Sequence, residues 1–381
     1  MKKKLLIIIH SLKRGGGAER LASNLTIQLS KEYNIFILTV YHFKNLYPHT
    51  GHYYSLKENL GVMRKILNSL KFLTIIRPLR IYSVIRKISP DFILSSMDIT
   101  NVYSILSKYI FRFNIPLFIY VQNNPIMRYK KKLKYLNFLI RELYPIKSVN
   151  KIITISKGLE KILENYYCIK KDKLQTILNA IDLKLINKKK KEKISMYNKL
   201  FDNVNIIKFI TIGRLVDQKG HNYLIGSFLK VKKRVPNSKL IIIGDGTLRQ
   251  KLEMQIKKGG LKDDVLLLGF KENPIKYLAK SDIFVLPSKF EGLPTVLLLA
   301  LACGLPIIST DCDTGPREIL DNGKYGLLAN VMDIEDLASK MILLAKNNEL
   351  KNKFSNLSIE RAEFFNLNKI IHEWINLFES F

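Results

Sequence analysis

Val285-Leu286-Pro287-Ser288-Lys289-Phe290-Glu291-Gly292-Leu293-Pro294-Thr295-Val296-Leu297-Leu298-Leu299-Ala300-Leu301-Ala302-Cys303-Gly304-Leu305-Pro306 holds the pattern that decides the fold. An apolar run that begins at Ile283 stops at Pro287, and a Gly/Pro turn follows, carrying Glu291. Pro294 stands where the first turn of a helix tolerates it. An apolar helix leads to Gly304, and a new strand opens at Pro306. The stretch therefore reads as strand, turn, helix and next strand.

The same unit recurs on both sides. Ile206–Ile212, Leu240–Ile243, Val265–Leu268 and Pro306–Ser309 read as buried strands, with helical stretches from about 221, 247, 274, 294 and 333 between them. In the first half, Leu5–His10, Ile35–Val40, Phe92–Leu94, Leu117–Val121 and Ile152–Ile155 have the same character. Alternation of this kind predicts an α/β protein with two doubly wound parallel sheets in tandem and a cleft between them. Between the halves, Asn187–Lys193 is nearly all lysine and predicts a solvated basic linker over 185–200. The expected domains are therefore 1–184 and 201–355, with Lys351–Phe381 helical throughout.

The 381 residues fit about two domains. With 47% hydrophobic residues, 12 Pro and 19 Gly, the chain is neither collagenous nor disordered. Cys168, Cys303 and Cys312 are too few and too scattered for a disulfide framework or a thiolate metal cage, which predicts a reducing compartment. No signal sequence is recognisable, because the apolar run Leu5–Ile9 is short and soon meets Lys13 and Arg14. No run of about 18 apolar residues is present either, so a soluble or peripheral protein is expected.

Lys and Arg number 63 against 32 Asp and Glu, a net charge of +31 that calls for a polyanionic partner. Residues 1–183 carry 31 basic and 10 acidic side chains, and 184–381 carry 32 and 22, so the excess is concentrated in the first half. Arg64–Lys87 mixes Arg64, Lys65, Lys71, Arg77, Arg80, Arg86 and Lys87 with apolar residues, and Arg128–Lys134 sets five basic residues around Tyr129 and Leu133. Such surfaces suit anionic lipid headgroups. Nucleic acid is the weaker partner: there is no RNP sequence, zinc-ligand set or basic helix joined to heptads.

Three places carry the chemistry. Gly15-Gly16-Gly17 lies between a strand and a helix, where backbone can approach a ligand closely and amides can hold an anion; it lacks the Walker lysine and the full dinucleotide spacing. Gly213-Arg214 and Lys219-Gly220 follow the first strand of the second half, and two cations at such a strand end suit a diphosphate. Glu291 is held at another strand end beside the helix N-terminus at Thr295 and Val296. A carboxylate for sugar hydroxyls next to amides for phosphate is what a nucleotide-sugar site requires.

Taken in order, Gly-Gly-Ala-Glu-Arg near the start, Gly213-Arg214 with Lys219-Gly220, Gly244-Asp245-Gly246, Glu291-Gly292-Leu293-Pro294 and Gly315-Pro316-Arg317-Glu318 resemble family 4 retaining glycosyltransferases of the GT-B fold. The resemblance spans nearly the whole chain, is strongest over 206–330, and includes similarity to bacterial enzymes of lipid-linked oligosaccharide, O-antigen or capsule assembly. It implies two Rossmann-like domains, the first for the acceptor and the second for the nucleotide-sugar, with a C-terminal helix over 356–381 packing back on the first. It also implies that Arg214 and Lys219 neutralise the donor diphosphate in place of a metal, and that Glu291 binds the transferred sugar. Gly15, Gly16 and Gly17 would approach the phosphates, while Gly213, Gly244, Gly246, Gly292, Leu293, Pro294, Thr295 and Val296 would line the donor site. No cofactor or metal is implied.

Two positions depart from the family pattern. The second glutamate of its signature, which binds ribose, is replaced by Leu299. At Gln122, followed by Asn123 on the acceptor side, many relatives carry a histidine, and an amide cannot serve as a base. His42, His49 and His52 cluster with tyrosines but have no acidic companion at ligand spacing, so they read as loop decoration; His10 reads as packed or solvent-facing.

The function expected is transfer of a hexose or N-acetylhexosamine from a UDP-sugar to a polyprenyl-diphosphate-linked saccharide, on the inner face of the cytoplasmic membrane. The alternatives are a nucleotide-sugar epimerase, a glycogen-synthase-like enzyme, or a non-catalytic basic binding protein if Leu299 marks an inactive copy.

Overall fold

The computed structural model describes residues 1–58, 70–129 and 134–381. The chain divides into two compact units, Met1–Leu178 with Ile371–Phe381, and Asn179–Ile370. Each is built on one parallel sheet, so the chain is α/β with two Rossmann-like domains, as the alternation predicts.

In the first unit the strands are β1 (Lys4–Ile9), β2 (Asn34–Tyr41), β3 (His52–Glu58), β4 (Phe92–Ser96), β5 (Leu117–Val121), β6 (Lys151–Thr154) and β7 (Leu174–Thr176). Their order is β3-β2-β1-β4-β5-β6-β7, with β1 registering Ile7 on Ile37 of β2 and on Leu94 of β4. Leu5 to Ile9 are at most 1% exposed, and burial of each such side chain contributes roughly 1.5–3 kcal/mol.

Strands β3 and β7 are absent from the sequence reading. The former is His-Tyr-Tyr-Ser-Leu-Lys-Glu at the sheet's edge, where a strand need not be apolar throughout and no apolar run marks it. His52 is thus a strand residue stacked on Phe36, not loop decoration. His42 and His49 remain in the connection, where both rings approach Tyr53.

The second unit holds β8 (Ile207–Ile212), β9 (Ser238–Ile243), β10 (Val265–Gly269), β11 (Ile283–Leu286), β12 (Ile307–Thr310) and β13 (Leu327–Ala329), in the order β10-β9-β8-β11-β12-β13. Leu224, Phe228 and Val231 of the helix His221–Arg234 and Leu337, Met341 and Leu344 of the helix Ile334–Lys346 cover one face. The strand order reverses between β8 and β11, and a crevice for ligands opens at the carboxyl ends of such a pair.

Two expectations about connections are corrected. The lysine-rich stretch is solvated at Asn187, Lys188 and Lys191–Lys193 as expected, but it is not a linker: Leu183–Lys190 is a helix of the second unit, capped by Asp182, with Ile186 buried. Asn273 Nδ2 donates to Lys189 O and Lys276 Nζ to Lys193 O, which tie the stretch down. The terminal helix is not continuous either. Asn348–Phe364 and Leu367–Glu379 are separate helices because the backbone between them pairs with Ile181, whose N–H donates to Phe365 O and whose carbonyl accepts from Leu367 N, both at 2.9 Å.

The last eleven residues belong to the first unit. Trp374 meets Tyr120 edge-on, and Phe378 packs among Tyr33, Phe92 and Phe118. Glu379 accepts from Lys3 and Tyr33, each at 2.8 Å.

Candidate donor site in the second unit

Backbone packing shapes the carboxyl end of β8. Gly213 N donates to Ile243 O and Leu215 N to Asp245 O, so the loop Gly244-Asp245-Gly246 lies directly on Gly213–Leu215. Gly244 has φ +140°, and a Cβ there would collide with the Gly213 carbonyl, so only glycine fits. Arg214 stands exposed at this strand end.

The turn Asp217–Lys219 then brings a cation across to β11. Lys289 N donates to Gln218 O, and Gln218 Nε2 donates to Phe290 O. Gly220 is pressed against the Pro287 carbonyl, where a Cβ has no room. The result is that Lys219 Nζ donates to Glu291 Oε1 at 2.5 Å, with the side chains 17% and 7% exposed. An ion pair so far removed from water is held by its geometry, since desolvation of the two charges offsets much of their attraction.

Glu291 has further support. Ser288 Oγ donates to the same carboxylate oxygen at 2.5 Å. The end of β12 and the segment after it clamp the loop: Thr310 Oγ1 and Cys312 Sγ donate to Ser288 O, at 2.5 and 3.2 Å, and Thr314 Oγ1 donates to Glu291 O. Burial, and next the charge of Glu291, push the Cys312 thiol up to about 12. Arg317 is engaged by Asp311, and Arg361 by the Glu318 and Ile319 carbonyls.

Beyond Glu291, Gly292, Leu293 and Pro294 lead into the helix Thr295–Ala302, whose N-terminus has no side-chain cap; the Leu293 carbonyl accepts from Asn179. Leu299 is 6% exposed. It shares a helical stripe with the half-buried Thr295, Val296 and Cys303, whereas Leu297, Leu298, Ala300 and Leu301 are fully buried.

His221 was not singled out by the sequence reading. It opens the helix after Gly220, is almost fully buried, and neither ring nitrogen makes a hydrogen bond of normal geometry. Burial, then Lys219, push its imidazole down to about 4, against the opposing pull of the Arg214 and Gly213 backbone. Ser288 was also missed, although it lies in the decisive segment three residues before Glu291.

The first unit holds the remaining expected residues. Gly16 caps the helix Gly17–Leu29, with open space at Gly15 and Gly17. Gln122 and Asn123 follow β5; Gln122 is 5% exposed, and neither atom of its amide makes a hydrogen bond of normal geometry. The basic surface expected over Arg64–Lys87 is corrected at Arg77, which is 5% exposed and donates to the Tyr103 and Tyr41 hydroxyls, both at 2.8 Å, so it cannot meet lipid. Arg64, Lys65 and Lys130–Lys132 lie outside the described residues. Among the described residues no cluster of metal-ligating side chains occurs, and no helix is long and apolar enough to cross a membrane.

Residues 15–185 match the model of Glycosyltransferase Family 4, and residues 191–361 that of Glycosyl transferases group 1. The chain is 36% identical to an uncharacterized glycosyltransferase of Methanocaldococcus jannaschii, over 80% of this chain and 82% of that protein. It is 27% identical, over 98% of both chains, to the Campylobacter jejuni GalNAc-alpha-(1->4)-GalNAc-alpha-(1->3)-diNAcBac-PP-undecaprenol alpha-1,4-N-acetyl-D-galactosaminyltransferase. Among solved structures it resembles Anabaena HepE in complex with UDP and glucose, with a TM-score of 0.79, 18% identity and complete coverage of both chains.

Proposed function

The chain belongs to glycosyltransferase family 4 and has the GT-B fold, and on that premise we propose that it is a retaining, metal-independent transferase. In this reading it moves a hexose or N-acetylhexosamine from a UDP-sugar to a polyprenyl-diphosphate-linked saccharide. The observation that carries the reading is the buried Lys219–Glu291 pair at the switch point of the second sheet. It sets a cation for the diphosphate beside a carboxylate for sugar hydroxyls.

During transfer, the bond from the anomeric carbon to the diphosphate oxygen breaks as the acceptor oxygen bonds to that carbon on the same face, and the acceptor's proton passes to the departing diphosphate oxygen. Negative charge then grows on the departing diphosphate. Arg214 and Lys219 stabilise it there, and preorganised charge of this kind lowers barriers most where charge develops. Glu291 holds the sugar through its hydroxyls. The uncapped N-terminus at Thr295 and the backbone at Gly213 and Gly244 complete the donor side, while Gly15–Gly17, Gln122 and Asn123 serve the first domain.

The acceptor class is supported by the Campylobacter relative, whose name specifies an undecaprenol-diphosphate-linked substrate, and by the basic first half, which suits an anionic membrane surface. The UDP donor is supported by the UDP bound to the similarly folded Anabaena protein. Incubation of the full chain with UDP-hexoses, UDP-N-acetylhexosamines and polyprenyl-diphosphate saccharides, followed by product analysis, tests the reading. Elongated glycolipid is expected; conversion of the nucleotide-sugar to its epimer would favour the alternative enzyme.

A further inference from the structure

We infer that Ser288 is a positioning residue for the sugar half of the donor site: it holds Glu291 in place when Lys219 turns to the diphosphate. The inference rests on the donor reading above and goes beyond it, because Ser288 touches no substrate in that scheme.

Lys219 and Ser288 both donate to Glu291 Oε1, each at 2.5 Å. Their fates on donor binding differ. A diphosphate carries more negative charge than one carboxylate, so it draws the ammonium away on its flexible four-carbon stem. The seryl hydroxyl is neutral and stays. It is fully buried, and its own carbonyl is held by Thr310 Oγ1 at 2.5 Å and by Cys312 Sγ at 3.2 Å. Thr310 Oγ1 also reaches Leu286 O at 3.2 Å, fixing the strand end from which Ser288 projects.

A carboxylate only 7% exposed that lost both donors would be left uncompensated in the interior and would follow the lysine. With Ser288 present, one donor remains on Oε1, and Oε2 is left to accept from the sugar. The hydroxyl therefore uncouples the two duties of the ion pair, so that binding the diphosphate does not disorder the sugar contact.

The test compares affinities of the full-length protein for UDP and for UDP-sugars, using UDP-N-acetylgalactosamine and UDP-glucose as probes and proceeding with the tighter. Ser288→Ala should weaken the UDP-sugar roughly tenfold, as expected for loss of a hydrogen bond to a charged group, while UDP changes less than about twofold. Ser288→Thr should restore the sugar affinity. In a Glu291→Gln background, Ser288→Ala should add almost nothing, because the two residues act as one unit.

Equal weakening of UDP and UDP-sugar, or full additivity with Glu291→Gln, overturns the inference and leaves Ser288 a packing residue. The donor reading has a separate check: if Glu291→Gln itself leaves UDP-sugar affinity at the wild-type level, the reading falls and the inference with it. A Ser288→Ala variant with wild-type affinities, beside a weakened Glu291→Gln, overturns only the inference.

Discussion

The Lys219 ammonium and the Glu291 carboxylate stand 2.5 Å apart although 72 residues separate them in the chain. The loops after β8 and β11 are stitched together by Gln218, Gly220 and Lys289, and the pair is the chemical outcome of that stitching. Lys219→Ala leaves Glu291 buried with Ser288 as its remaining side-chain donor among the described residues. Removing one partner of a buried pair costs about 3–5 kcal/mol, so the urea midpoint should fall. Lys219→Met with Glu291→Gln should recover most of that loss. Turnover should drop by roughly 10² in Lys219→Ala and in Arg214→Ala, measured as kcat/KM.

Leu299 offers a gain-of-function test. Its stripe neighbours Thr295, Val296 and Cys303 are half-buried rather than sealed in the core. A carboxylate at this position would accept from ribose hydroxyls, as the family pattern implies. Leu299→Glu should tighten UDP binding by about 1–3 kcal/mol in calorimetric titration. Weaker UDP binding with a lowered melting temperature would show that this side chain, only 6% exposed, is closed off from the nucleotide.

His221 should give the fold a pH dependence. Its imidazole sits at about 4 in the native state against an ordinary 6.5. Between these values the unfolded chain takes up a proton that the native chain does not, so this contribution to stability is complete above about pH 6.5 and is lost as the pH falls toward 4. At pH 5 the loss should be about 2 kcal/mol relative to pH 7.5, at 1.4 kcal/mol per unit. His221→Gln should remove that part of the slope in urea titrations at the two pH values; an unchanged slope would assign it elsewhere.

The basic first half predicts salt-sensitive docking on anionic vesicles. Replacing Lys130, Lys131 and Lys132 with Gln should weaken vesicle binding by up to about 3 kcal/mol at low salt, at roughly 1 kcal/mol per residue. Activity on a short soluble acceptor should survive. Equal loss on soluble and lipid-linked acceptors would give the three lysines a folding or substrate role instead.

The central strands were legible because parallel strands buried on both faces leave continuous apolar runs, as in Leu5–Ile9 and Ile283–Leu286. Strands β3, β7 and β13 were not: they are polar or only three residues long and lie at or beside a sheet edge. Glu291 and Lys219 stand out because turn residues surround them at strand ends. Ser288, Thr310, Cys312 and Thr314 do not, since small polar residues acquire their roles only when β12 brings one loop against another. Arg77 shows the converse: its charge reads as surface, yet two tyrosine hydroxyls from other elements satisfy it in the interior.

Mass analysis of the glycolipid made in EDTA, by the wild type and by Lys219→Ala, from a UDP-sugar and a polyprenyl-diphosphate saccharide, separates transfer by the Lys219 clamp from transfer by a metal. The wild type should add one hexose or N-acetylhexosamine at an undiminished rate, and Lys219→Ala should form the product at least about 10² more slowly. Loss of wild-type product in EDTA with recovery on adding magnesium, or equal rates for the two proteins, would contradict the clamp.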